Sequence, residues 1–119
     1  MEQAVNGIGW FEVGTADPAG AEHFYGGLFG WTFGTGRYRE ISTGEGCGPS
    51  GGIFDHGGQM PNYAVFYVQV DDVAAKLAEA ERLGGKTLAP PTDNGEGLVF
   101  AHLADADGNH FGIFSPPAG

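Results

Sequence analysis

Two stretches of this chain follow one grammar, and that internal repeat limits the possible folds more than any composition figure. The first stretch opens with the β-rich run Gly9-Trp10-Phe11-Glu12-Val13-Gly14 and the turn Thr15-Ala16-Asp17-Pro18. Thr15 or Asp17 can cap a helix there, and Pro18 suits its first position. Ala21, Phe24, Tyr25 and Leu28 then recur at the spacing of one helical face, which predicts an amphipathic helix of about three turns stopped at Gly30. Short, turn-bounded strands are expected over 31–33, 37–43 and 51–55. From Asn62 the order returns: a β-rich run over 63–70, the cap pair Asp71-Asp72, and a helical face of Val73, Leu77, Ala80 and Leu83 ending at Gly84-Gly85. Strands over 86–89, 97–104 and 110–115 close the second stretch, with a loop over 90–95 and a hairpin turn over 105–109. Laying Asp17 on Asp72 also lays Gly30 on Gly85, the helical position Leu28 on Leu83, and Trp10 on Val65, so strand, cap, buried helix position and stop align together.

A strand, a helix and three strands, read twice, is an α+β chain of two tandem βαβββ modules, about 6–57 and 62–116, with a linker near 56–61. The whole of 1–119 is expected to form one domain, because 119 residues at 41% hydrophobic and 13% aromatic content suffice for a compact core. Each module buries a helix on one sheet face: Phe11 and Val13, then Phe66, Val68 and Val70, point that way. The other face carries Trp10, Glu12, Val65, Tyr67 and Gln69, a mixture of aromatic and polar groups of the kind that lines a small-molecule cleft.

Charge removes several partners. With 5 basic against 15 acidic residues the net charge is -10, so nucleic acid and anionic membranes are repelled. No apolar run nears the roughly 20 residues of a membrane-spanning helix, and the N-terminal segment has no signal-peptide pattern, so a soluble, cytoplasmic chain is expected. The single cysteine, Cys47, has no partner for an internal disulfide and no basic neighbour in sequence to activate it. P-loop and GxSxG elements are absent, leaving triphosphate and serine-hydrolase chemistry without a motif.

The segment Ala21-Glu22-His23-Phe24-Tyr25-Gly26-Gly27-Leu28-Phe29-Gly30-Trp31, the run Val70-Asp71-Asp72-Val73 and the closing stretch 104–112 resemble the FY…LFGW, VDDV and DPDGN signatures of the vicinal oxygen chelate superfamily, which includes glyoxalase I, bleomycin-resistance proteins and extradiol dioxygenases. Ala106 stands where the last signature has proline. The resemblance implies paired βαβββ modules in a curved, half-open barrel, and usually a homodimer. It also implies, in metal-using members, ligands from the first and last strands of each module. Those positions here hold Trp10, Val65 and Gly112, with the fourth somewhere within 50–55, where Asp55 is the one conventional donor. A single carboxylate does not hold a divalent ion against water, so neither a glyoxalase-type metal nor another cofactor is expected.

Glu12 is the leading polar candidate: two residues from Trp10, it points the same way, and partial burial would raise its pKa and suit it to act as a general base or as counter-ion to a cationic ligand. The plainer reading has it solvated or paired with Arg37 or Arg39. Trp10, Tyr63 and Tyr67 could stack on a planar ligand or simply pack on the sheet. His102 and His110 flank the closing hairpin, where they read as an acid–base pair, an accidental two-ligand metal site, or structural groups lining a pocket. His23 and His56 are expected at the surface without a role, and Asp105-Ala106-Asp107-Gly108 lacks the downstream glutamate of a calcium loop. The reading that follows is a metal-independent protein that binds an aromatic or cationic small molecule. The alternative is an isomerase, epimerase or cyclase working by acid–base chemistry, and a metal-dependent lyase or dioxygenase ranks behind both.

Overall fold

The computed structural model describes residues 5–44, 46 and 48–117, so Cys47 lies outside the described residues. The chain divides into two compact units, Trp10–Val65 and a second formed by the residues up to Gly9 together with Phe66 onward. Asn6 N–H donates to the Gln69 carbonyl, and Gln69 N–H donates to that of Gly7, which ties the N-terminal segment into the second unit.

In the first unit β1 (Ile8–Thr15), whose first two residues belong to the second unit, leads into α1 (Pro18–Phe29), followed by β2 (Thr32–Phe33), β3 (Tyr38–Ser42) and β4 (Gly51–Asp55), in the spatial order β2-β3-β4-β1. β1 and β4 run parallel and the other pairs antiparallel. Asp17 caps α1 by accepting from the Gly20 N–H at 3.0 Å, Pro18 takes the first helical position, and Gly30 closes the helix at φ 76°, in the left-handed region glycine adopts cheaply. Ile41 and Ile53 are fully buried in this unit.

The second unit repeats the plan with β5 (Tyr63–Gln69), whose first three residues belong to the first unit, then α2 (Val73–Arg82), β6 (Lys86–Asp93), β7 (Val99–Ala104) and β8 (His110–Ser115), in the order β5-β8-β7-β6. Asp72 caps α2 through Ala75 N–H at 3.0 Å. The core of this unit is Val70, Val73, Leu77, Ala101, Leu103 and Ile113, with Val68, Ala80, Val99 and Phe111 packed against it. Burying side chains such as Leu77 and Ile113 contributes about 1.5–3 kcal/mol each relative to leaving them in water. Because side chains alternate along a strand, Ala101 and Leu103 facing α2 leaves His102 on the opposite face of β7.

Three expectations need correction. α1 buries none of its residues: Phe24, Leu28 and Phe29 are 59%, 60% and 57% exposed, and Pro18, Ala21, Glu22, Gly26 and Tyr25, whose ring is stacked 5.6 Å from Trp31, are only partly covered. Leu83, aligned on Leu28 as a buried position, is likewise exposed, because α2 ends at Arg82 and the chain turns at Gly84. The stretch expected as a loop over 90–95 is instead largely strand, since β6 continues through Pro90 and Pro91 to Asp93. β6 tolerates them as an edge strand with register shifts between Thr87 and Ala89 and between Ala89 and Thr92, where no ladder hydrogen bond is demanded of the prolines. No helix among the described residues is long and apolar enough to cross a membrane.

Candidate functional site

The six residues singled out from the sequence form two clusters, one in each unit. In the first unit, Glu12 is 5% exposed on β1, yet both carboxylate oxygens are engaged. The Tyr38 hydroxyl donates to Oε1 at 2.9 Å and the Tyr63 hydroxyl donates to Oε2 at 2.5 Å. Trp10 Nε1–H donates in turn to the Tyr38 oxygen at 2.8 Å. Phenols therefore hold Glu12 where arginines were the expected partners. Arg39 pairs with Glu22 at 2.5 Å, and Arg37 donates to the Asp55 carbonyl while lying over the Phe54 ring.

Two glycines make room for this clamp. A Cβ on Gly52, the register partner of Glu12, would sit 2.2 Å from the Tyr38 ring, and one on Gly14 would sit 2.3 Å from the Tyr63 ring. Glycine in a strand marks a close approach of this kind. Tyr38 is the member of this cluster that the sequence reading did not single out. Its signal was the Gly51-Gly52 pair, which forecasts a ring lying across β4. Burial raises the pKa of Tyr38, and the Glu12 charge raises it further; burial followed by the hydrogen bond to Glu12 does the same for Tyr63. Both phenols stay protonated at neutral pH and act as donors, so the carboxylate is fixed in orientation beside the Trp10 indole. An open groove of about 550 Å³ adjoins Tyr63, lined among others by Phe24, Tyr25 and Asp17.

His56 corrects another expectation. It is 3% exposed rather than at the surface, its Nδ1 accepts from Gly58 N–H at 3.0 Å, and Nε2 therefore carries the proton donated to Asn62 Oδ1 at 2.9 Å. The ring pins the turn leading to Tyr63. His23 is exposed, as anticipated.

In the second unit, Tyr67 on β5 is 4% exposed and its ring fills the space above Gly112, its register partner on β8, where a Cβ would lie 2.5 Å away. Its hydroxyl lies 2.7 Å from His102 Nε2, and His102 Nδ1 lies 2.6 Å from His110 Nε2. At the turn, the Asp105 carboxylate accepts from the backbone of Asp107 and Asn109 and from Asn109 Nδ2, and these bonds, Asn109 first, hold its carboxyl below the usual range. That is hairpin geometry rather than a cation loop.

The strand positions considered for a metal do not suit one. Since Glu12 pairs with Gly52 as Tyr67 pairs with Gly112, the fourth position is Gly52 and not Asp55, whose carboxylate caps the turn at Gly57 N–H. Trp10, Val65, Gly52 and Gly112 offer no side-chain donor, and the two glycine positions are occupied by tyrosine rings. No group of three or more His, Cys, Asp or Glu side chains converges among the described residues.

Comparison with known proteins adds family context. A family model described as a glyoxalase-like domain matches residues 10–114. The anthracycline biosynthesis protein DnrV of Streptomyces peucetius is 32% identical over a gapped alignment of 124 positions that takes in 82% of this chain and 43% of that protein, so the chain spans less than half the length of this relative. Among solved structures, a methylmalonyl-CoA epimerase superposes with a TM-score of 0.66 at 13% identity, covering 99% of this chain and 100% of that one. The Mn(II)-bound glyoxalase from Novosphingobium aromaticivorans superposes with a TM-score of 0.64 at 19% identity, covering 93% and 39%. At such identities the likeness is one of fold.

Proposed function

This chain belongs to the glyoxalase-like family of the vicinal oxygen chelate superfamily, and from that premise we propose that it binds a planar aromatic or cationic small molecule without using a metal. The observation that carries this reading is the buried Glu12 carboxylate held by the Tyr38 and Tyr63 hydroxyls beside Trp10. A negative charge fixed by two phenols and flanked by an indole offers an amine a counter-ion and an aromatic surface at little reorganisation cost. Trp10, Glu12 and Tyr63 are the contacting residues. The Streptomyces peucetius relative is named for anthracycline biosynthesis, which makes an anthracycline, planar and amine-bearing, the natural first probe.

The protein acts as a homodimer in the cytoplasm, with neither nucleic acid nor a membrane surface as partner. The net charge of -10 and the uncovered Phe24, Leu28 and Phe29 of α1 support this assignment. A second reading, an acid–base enzyme of the isomerase, epimerase or cyclase type, is favoured by one observation, the contact between His102 and His110.

Titration with an anthracycline and with neutral and anionic analogues, followed by tryptophan fluorescence, tests the binding. Glu12→Gln is expected to weaken the amine about tenfold, equivalent to about 1.4 kcal/mol. Equal or tighter binding of the anionic analogue, or an unchanged affinity in Glu12→Gln, would overturn the reading. Stoichiometric Zn, Ni, Fe or Mn in protein purified without chelator would overturn its metal independence.

A further inference from the structure

The sequence holds two Asn-Gly pairs, Asn6-Gly7 and Asn94-Gly95, and the fold treats them in opposite ways. At such a pair a chain can modify itself, because glycine carries no side chain to keep its backbone nitrogen away from the asparagine Cγ. At Asn94-Gly95 three hydrogen bonds oppose that approach. Asn94 Oδ1 accepts from Glu96 N–H at 2.8 Å and from Leu98 N–H at 3.2 Å, and Gly95 N–H donates to the Asp93 carboxylate at 2.7 Å. The adjoining negative charge also disfavours loss of that proton. At Asn6-Gly7 the arrangement is reversed. Asn6 is exposed, and among the described residues neither its side chain nor the Gly7 N–H makes a hydrogen bond. Asn6 also takes φ 72°, the one positive φ outside glycine among the described residues, in a region an L residue occupies at a cost.

We propose that Asn6 is a self-modification site, converting with water to aspartate and isoaspartate, and that conversion releases the N-terminal segment from β5. Gly7 N gives its proton to solvent and bonds to Asn6 Cγ. The Cγ–Nδ2 bond breaks, and ammonia leaves with a proton taken back from solvent, which closes a cyclic imide. Water then adds to one of the two ring carbonyls. Cleavage at Cγ leaves aspartate, and cleavage of the original peptide bond leaves isoaspartate, joined to Gly7 through Cγ. In sum, one amide and one water become one carboxylate and one ammonium ion, with nothing oxidised or reduced.

Two features give the conversion a consequence. Asn6 N–H donates to the Gln69 carbonyl at 2.6 Å and Gln69 N–H donates to the Gly7 carbonyl at 2.9 Å, so the two bonds bracket the Asn6-Gly7 link. Isoaspartate inserts a methylene between them, and both can no longer be kept. The new carboxylate also enters a cavity lined by Asp71, Asp72 and Glu79, where Lys76 already pairs with Glu79. Like charges there repel the segment. These residues belong to the second unit, so the site is tested separately from binding at Glu12.

Incubation of the full chain in mildly alkaline buffer, followed by peptide mapping with mass spectrometry, reads the conversion at each asparagine. Asn6 is expected to convert at least about tenfold faster than Asn94, the effect of the bonds that Asn94 must first release, and the gap should close in urea. In the converted chain the Gln69 amide should exchange with deuterium roughly tenfold faster, whereas in Asn6→Gln it should keep its protection through the same incubation. Conversion at Asn94 as fast as at Asn6 in the folded chain, or a gap that persists unchanged in urea, would overturn the site. Unchanged Gln69 exchange in the converted chain, or an equal rise in Asn6→Gln, would overturn the release. Should Asn6→Gln fail to fold, the wild-type measurements still decide both.

Discussion

Replacing Tyr63 by Phe removes one oxygen from the Glu12 clamp and leaves the ring above Gly14. The packing term is therefore small, and the loss is that of a hydrogen bond to a charged, buried acceptor, about 1.5–3 kcal/mol. For 119 residues, an unfolding entropy of about 2.1 cal/mol/K per residue gives about 0.25 kcal/mol per degree, so Tm should fall by about 6–12 °C. Scanning calorimetry and urea unfolding measure both quantities. The decisive comparison is a double-mutant cycle with Glu12→Gln, in which the Tyr63→Phe cost should shrink to below about 1 kcal/mol because the acceptor is no longer charged. A single-variant cost under about 0.5 kcal/mol, or an equal cost in both backgrounds, would show that the 2.5 Å contact contributes nothing to stability and would remove the physical basis of the clamp.

Other consequences follow from the same geometry. Gly112→Ala places a methyl group 2.5 Å from the Tyr67 ring and should destabilise by about 1–3 kcal/mol in urea unfolding; Tyr67→Leu in the same chain should recover part of that loss, and no recovery would contradict the close approach. Tyr38 and Tyr63 have pKa values raised above 10, so the folded state keeps protons that the unfolded chain releases above pH 10. Their contribution is fully present below pH 10 and is lost as pH rises, by at most about 1.4 kcal/mol per pH unit for each phenol, and by less for the 40% exposed Tyr38. A Tyr38→Phe/Tyr63→Phe chain should show a shallower alkaline loss of stability, and an identical slope would refute the assignment. Asp72→Ala removes the acceptor for Ala75 N–H and should cost about 0.5–2 kcal/mol by chemical denaturation, mostly through α2.

Local signals read from the sequence corresponded to local causes. Asp17, Pro18, Gly30 and Asp72 act as cap, first turn, stop and cap because each role depends on a few adjacent backbone groups. Pro90 and Pro91 misled because proline excludes a central strand but not an edge strand with register shifts, and edge position is set by pairing far along the chain. Leu28 and Leu83 misled because periodicity identifies an apolar position without saying what covers it. The exposure expected of His56 failed for a similar reason: Gly58 and Asn62, both near in sequence, close around its ring only once the linker has turned.

The sequence by itself determined the repeated order of strand, helix and three strands, the shared strand face of Trp10 and Glu12 and that of Tyr67 and Gln69, and the lack of metal-binding side chains at Trp10, Val65 and Gly112, because alternation and residue chemistry are properties of short segments. Tertiary structure alone decided what those side chains meet. Tyr38 reaches Glu12 from 26 residues away and His102 reaches Tyr67 across 35, both through strand register, and Tyr63 reaches Glu12 across 51. Register also explains the glycines: Gly52 and Gly112 stand opposite Glu12 and Tyr67 and leave the volume that tyrosine rings occupy. Such contacts depend on which residues pairing brings side by side, and no window along the chain contains that information.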